Sequence, residues 1–270
     1  MLKRIIVACV FLPVFIVAFF FCPIWVAGVL LTALCALSAY EFVYVTGITK
    51  NKAVAGIAIV FAAAVSWWVY IGVPIVYLVA WAFLLMFSLF SIGIFWHEKI
   101  HPDEVVGAIF SAGLFPLCIS LMIAILQEPS GKVLIAMPFI AAWVSDTCAY
   151  FGGTFFGKHK MAPEISPKKT WEGSVIGIIG AGVVQIVYGI VLANAFSYEV
   201  SFAVLIPFAL LGAIMGQIGD LALSYVKRAR GIKDYGCLMP GHGGVLDRFD
   251  SVIFILPLFY VLQIMIGIVR

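Results

Sequence analysis

Apolar runs of 18 or more residues recur along the whole chain, each able to cross roughly 30 Å of hydrocarbon as a helix. Backbone in lipid must satisfy its own hydrogen bonds, so a chain dominated by such runs folds as packed helices. With 64% hydrophobic and 11% charged residues among 270, a water-soluble fold is excluded. We expect nine spans, at about 5–21, 24–45, 53–71, 75–96, 105–126, 132–151, 174–195, 202–225 and 251–269. The fold class is all-α: a polytopic membrane helix bundle with about nine transmembrane helices. The first run follows Lys3 and Arg4 as a signal peptide would. It lacks a small-residue cleavage site, and Cys22-Pro23 leads straight into the next span, so it is expected to be retained.

Charge provides an independent check. A cytoplasmic N-terminus puts fourteen of the sixteen Lys and Arg on the cytoplasmic side and leaves only Lys132 and Arg270 outside. A span count wrong by one would move every later loop across the membrane. The expected topology therefore has the N-terminus in the cytoplasm and the C-terminus outside. The six cysteines show no CxxC pair and no histidine spacing suited to zinc, so neither a disulfide framework nor a zinc site is expected. There is no internal repeat of the kind that marks an inverted-repeat transporter. No nucleic-acid partner is expected.

The chain divides by chemistry. Residues 1–126 are N-terminal transmembrane helices with few polar groups. Glu41 lies near the cytoplasmic end of the second span, and the loop with His97, Glu98, His101, Asp103 and Glu104 reads as a solvated turn before a helix start at Pro102. Residues 127–270 are the region expected to carry the chemistry, with two long basic cytoplasmic loops at 152–173 and 226–250.

Two carboxylates fall inside spans in that region, Asp146 and Asp220. Each costs several kcal/mol on insertion scales, so each is a functional candidate, with a helix-locking hydrogen bond or ion pair as the alternative. Helical spacing puts Asp146 with Tyr150 and Gly153, and Asp220 with Gly216, Ser224 and Lys227. Gly212 and Gly216 suit close helix packing, while Gly219 is expected to let a ligand or ion near the backbone. Downstream, Gly241, Gly243 and Gly244 around His242 suit a phosphate cradle, followed by Asp247, Arg248, Asp250 and Ser251. Taken singly, Asp250 and Ser251 read as a helix cap, and Lys227, Arg228 and Arg230 as an ordinary positive-inside cluster. Together, cations beside carboxylates suit transfer chemistry on a nucleoside triphosphate, with a pair such as Asp220 and Asp247 holding Mg²⁺. No Walker A sequence is present.

The stretch Ser224-Tyr-Val-Lys227-Arg228, then Lys233-Asp234-Tyr-Gly236, then Pro240-Gly-His242-Gly243-Gly244-Val-Leu-Asp247-Arg248-Phe-Asp250 resembles the C-terminal signature of CDP-diacylglycerol synthases, the phosphatidate cytidylyltransferases. Met239 stands where that family usually has Leu, Ile or Phe. Upstream, Ser166-Pro-Lys168-Lys169-Thr170-Trp-Glu172-Gly173, with Asp146 and Tyr150-Phe-Gly152-Gly153, is similar to the family's second motif. About the last half of the chain carries the resemblance.

The resemblance implies transfer of CMP from CTP to phosphatidate, giving CDP-diacylglycerol and pyrophosphate. It implies Mg²⁺, with a second cation such as K⁺, and a homodimer in a bacterial-type inner membrane whose active site faces the cytoplasm. Asp220, Asp247 and, as third candidate, Asp250 would be metal ligands. Lys168, Lys169, Lys227, Arg228 and Arg248 would meet phosphates. His242, Gly243 and Gly244 would line the nucleotide cradle, with Ser224, Lys233 and Asp234 also binding substrate. Asp146 and Glu172 would orient the basic groups or hold a second cation. Rival readings are another CTP enzyme, making an archaeal CDP-ether lipid or phosphorylating a polyprenol, and an ion-coupled transporter using Asp146 and Asp220. The transporter leaves the glycine-rich segment and both basic loops without a role.

Overall fold

The structure is a computed structural model that describes residues 13–236 and 243–269. Among the described residues, eight helices are long and apolar enough to cross a membrane, as in a multi-pass membrane protein. They are α1 (Ile24–Tyr40), prolonged by a π-helical turn Glu41–Val45, α2 (Lys52–Ile71), α3 (Ile75–Phe95) and α4 (Pro102–Gln127). Then follow α5 (Ala136–Phe156), led by a single turn Gly131–Leu134, α6 (Trp171–Ala195), α7 (Phe202–Ala229) and α8 (Leu246–Met265). These match the last eight of the nine expected spans. The first, 5–21, is described only from residue 13, where residues 13–16 are helical and Val17–Phe21 form a π-helical turn.

Local chemistry sets the helix ends. The Asn51 side chain caps α2 by accepting from the N–H groups of Ala53 and Val54, and Gly72 ends it in a left-handed conformation at φ 68°. Pro102 opens α4, where a missing N–H costs nothing. The turn before it is largely exposed, and Glu104 accepts from the His101 N–H and, across 55 positions, from Thr49. Thr170 caps α6 through the N–H of Gly173 at 3.2 Å.

Two boundaries differ from the sequence expectation. Residues 160–170 form an antiparallel hairpin, β1 (Lys160–Ala162) with β2 (Ser166–Thr170), pairing Lys160 with Thr170 and Ala162 with Ser166. Helix α8 begins at Leu246, so Ser251 lies within it and does not open it.

The chain forms two compact units. One comprises the N-terminal helices through Gln127 together with Arg230–Arg248, and the other Glu128–Ala229 with Phe249–Arg270. In the first unit, α1, α2 and α4 pack on one another, with α3 against α2 and α4. In the second, α5, α6 and α7 are mutual neighbours. Helix α8 joins them where Gly219 faces the Asp250 carbonyl and Phe254.

Candidate active site

The second unit concentrates its polar groups where α5, α6, α7 and the hairpin meet. Glycines let the backbones approach there: a Cβ on Gly173 would lie 2.6 Å from the Ala149 carbonyl, and one on Gly219 would lie 2.6 Å from that of Asp250. The room expected at Gly219 for a ligand is thus filled by α8, because the glycine surface is spent on helix packing. The cavity beside this junction has a volume of about 460 Å³ and is lined by Asp146, Tyr150, Lys160, Lys168, Lys169 and Asp220, among others.

Lys169, the penultimate residue of β2, reaches into the cavity. Its Nζ lies 2.6 Å from Asp220 Oδ2, both side chains being about one quarter exposed. The other oxygen of Asp220 accepts from Ser224, one turn on, at 3.2 Å. Lys227 is buried a further turn along α7, at 7% exposure. Asp250 feels the charges of Asp220, Lys227 and Asp146. Ser251 links the acids, donating its hydroxyl to Asp146 at 3.4 Å and its N–H to Asp250 at 2.8 Å. Asp146, Lys169, Asp220, Ser224, Lys227 and Asp250 are thereby brought together.

A neutral network beneath them went unread in the sequence. Gln217 Nε2 donates to Ser145 Oγ at 3.0 Å and to the Ser174 carbonyl at 3.1 Å, while Gln217 Oε1 accepts from Ser174 Oγ. One amide therefore ties α7 to α5 and α6 beside Asp146 and one turn from Asp220. The available signal was that Ser145, Ser174 and Gln217 lie in three different apolar spans, two of them close in sequence to Asp146 and Asp220.

The hairpin is tethered at both ends. Glu172 accepts from the N–H groups of Lys158 and His159 and pairs with His159 Nδ1 at 2.5 Å. Arg228 Nε donates to the Ile165 carbonyl in the hairpin turn at 3.3 Å. Glu172 and Arg228 so shape the segment that carries Lys168 and Lys169. Lys168 is exposed on the cavity wall.

The remaining candidates belong to the first unit. Asp247 Oδ2 accepts from the Tyr235 N–H at 2.7 Å and from the Gly244 N–H at 2.9 Å, closing the loop on itself. Gly243 takes φ 84°, a conformation that favours glycine. Lys233, Asp234 and Arg248 are exposed. His242, with Pro240 and Gly241, lies outside the described residues.

For a divalent cation the donor chemistry fits. No group of three or more His, Cys, Asp or Glu side chains among the described residues is arranged to hold an ion unaided. Mg²⁺ keeps several waters and needs only one or two carboxylates plus substrate phosphates. Asp220 and Asp250, with Asp146 beside them, supply hard oxygen donors of that kind.

The sequence is similar to known proteins. A phosphatidate cytidylyltransferase of Rickettsia prowazekii (strain Madrid E) is 36% identical over 189 residues, 67% of this chain and 81% of its own length. A phosphatidate cytidylyltransferase of Staphylococcus saprophyticus is 43% identical over 132 residues, 49% of either chain. One from Thermotoga maritima is 41% identical over 132 residues, 48% of this chain and 49% of its own. The Cytidylyltransferase family profile matches residues 2–265, and the chain belongs to that family.

Proposed function

We propose that this membrane protein transfers the cytidylyl group of CTP to phosphatidate, forming CDP-diacylglycerol and pyrophosphate, a step of phospholipid synthesis. The observation that carries the reading is the Lys169–Asp220 pair, set among Asp146, Asp250 and Lys227 beside a cavity of about 460 Å³. An oxygen of the lipid phosphate attacks the α-phosphorus of CTP in line. The new P–O bond forms as the bond to the β-phosphate oxygen breaks, and pyrophosphate departs with that electron pair. The nucleophile is already an ionised phosphate, so no strong general base is required, and catalysis rests on positioning and charge.

Each polar group then has a task. Lys168 and Lys169 meet phosphate oxygens, and Lys227 offsets the carboxylates from within α7. Asp220 and Asp250 are the proposed Mg²⁺ ligands, with Asp247 the further candidate and Asp146 the neighbour suited to a second cation such as K⁺. Bound Mg²⁺ would neutralise charge developing on the phosphates. Gly243 and Gly244 are the proposed lining of the nucleotide cradle, with His242, Arg248, Lys233 and Asp234 beside them in the sequence. The site faces the cytoplasm in this reading, where CTP arrives, and opens sideways to phosphatidate in the bilayer. Inner-membrane residence and a homodimer belong to the same proposal.

The test is product analysis with purified protein, phosphatidate and α-³²P-labelled CTP, with and without Mg²⁺. Label entering the lipid phase only with Mg²⁺ is the expected result. A lipid monophosphate with released CDP would overturn it in favour of a kinase, and uptake into liposomes without CTP consumption in favour of a transporter.

A further inference from the structure

The N-terminal helices carry a carboxylate that the chemistry above leaves unused. Glu41 opens the π-helical turn that ends α1 and is 2% exposed. Its Oε1 accepts from the Val245 N–H at 2.8 Å and its Oε2 from the Leu246 N–H at 2.9 Å. A carboxylate within a span is expensive unless it is met, and two N–H groups at the positive end of α8 meet it. The fit is close. A Cβ on Gly236 would lie 2.8 Å from Oε1, and one on Gly244 would collide with the same carboxylate.

The next residue grips the other end of the loop. Phe42 stacks on the fully buried Tyr235, ring centroids 6.2 Å apart at 27°. Tyr235 and Gly244 in turn share Asp247 Oδ2 through their N–H groups. Two consecutive side chains of one π turn thus hold both ends of the segment that Asp247 closes. Widened helical turns of this kind are frequent at functional sites.

We propose that Glu41 is a positioning residue for cytidylyl transfer: its carboxylate fixes the Gly243–Asp247 segment in the shape that receives CTP. This rests on the function proposed above. A carboxylate is required because two donors face two oxygens. A glutamine would set one of its own N–H groups against a backbone N–H, leaving a buried donor unsatisfied.

The test compares the full-length purified protein with Glu41→Gln and Glu41→Ala by hydrogen exchange and by steady-state kinetics. Exchange of peptides covering Val245 and Leu246 is expected to speed by about tenfold or more in both variants, the scale of one lost buried hydrogen bond. The KM for CTP is expected to rise at least about fivefold while that for phosphatidate stays within about twofold, since one substrate's positioning is disturbed. A lower active fraction alone would leave both KM values in place, and the near-isosteric Glu41→Gln keeps the test open should Glu41→Ala not fold. Unchanged exchange, or faster exchange with an unchanged KM for CTP, would overturn the proposal. Wild-type protein that makes no CDP-diacylglycerol would overturn the underlying function and this role with it, a result told apart because the exchange difference would persist.

Discussion

The ammonium of Lys169 sits 2.6 Å from Asp220 Oδ2, joining the last strand of a polar hairpin to the C-terminal half of α7. Neither residue is placed by its own segment alone. Thr170 anchors the strand end as the cap of α6, and Gln217 holds α7 against its neighbours.

Removing either charge exposes this dependence. Asp220→Asn is expected to abolish turnover with the protein still membrane-inserted, and Lys169→Ala to lower kcat by about 10²–10³-fold, the usual loss for one preorganised charge. Label transfer from CTP to lipid, alongside the detergent-extracted yield, measures both. Near-normal activity in Asp220→Asn would remove it from the ligand set.

Gln217→Leu leaves the hydroxyls of Ser145 and Ser174 without their shared partner. A destabilisation of about 1–3 kcal/mol is expected for buried polar groups so stranded. Thermal unfolding in detergent reads it, and kcat should fall with it as Asp146 and Asp220 lose their common brace. Ser174→Ala, which removes one hydroxyl of the network, is expected to cost less.

At Gly219 a larger side chain must displace α8. A Cβ there meets the Asp250 carbonyl at 2.6 Å and the Phe254 ring at 2.8 Å, both firmly placed. Gly219→Val is expected to destabilise by about 1–3 kcal/mol through overpacking and to cut activity by moving Asp250. Unfolding midpoint and turnover on the same preparation check it.

Cutting the tether of the hairpin should act on binding more than on stability. Glu172→Ala releases the N–H groups of Lys158 and His159 and the His159 ring. Faster proteolysis within residues 158–166 is expected, with a raised KM for substrate phosphate groups and little change in unfolding temperature.

Metal dependence separates the candidate ligands. Chelation by EDTA is expected to stop turnover and added Mg²⁺ to restore it. Asp250→Asn should raise the Mg²⁺ concentration for half-maximal rate by about tenfold, as losing one carboxylate ligand would. The same titration on Asp247→Asn decides whether Asp247 binds metal or only closes its loop.

Much of this was legible in the sequence because hydrocarbon leaves a strong pattern. The last eight apolar runs became α1 to α8, and Asp146 and Asp220 stood out as charges where charges are costly. The helix face expected for Asp220 is real, since Ser224 bonds to it one turn on. The hairpin was hidden by Pro163 and Pro167, which punctuate residues 160–170 as a loop whether or not the flanks pair.

Glu41 was hidden more deeply. Its partners are backbone N–H groups, which every residue but proline possesses, so no side-chain pattern announces the contact. Gly244, which leaves room for its carboxylate, reads equally well as part of a phosphate cradle. The Gln217 network was within reach, but Ser145 and Ser174 are small enough to pass as packing residues.

The bond from Glu41 to the Val245 N–H closes across 204 positions. During synthesis the N-terminal helices therefore precede by some two hundred residues the backbone groups that meet this carboxylate in the folded protein. The segment around Asp247 can take its folded shape only once both ends of that long separation have been made.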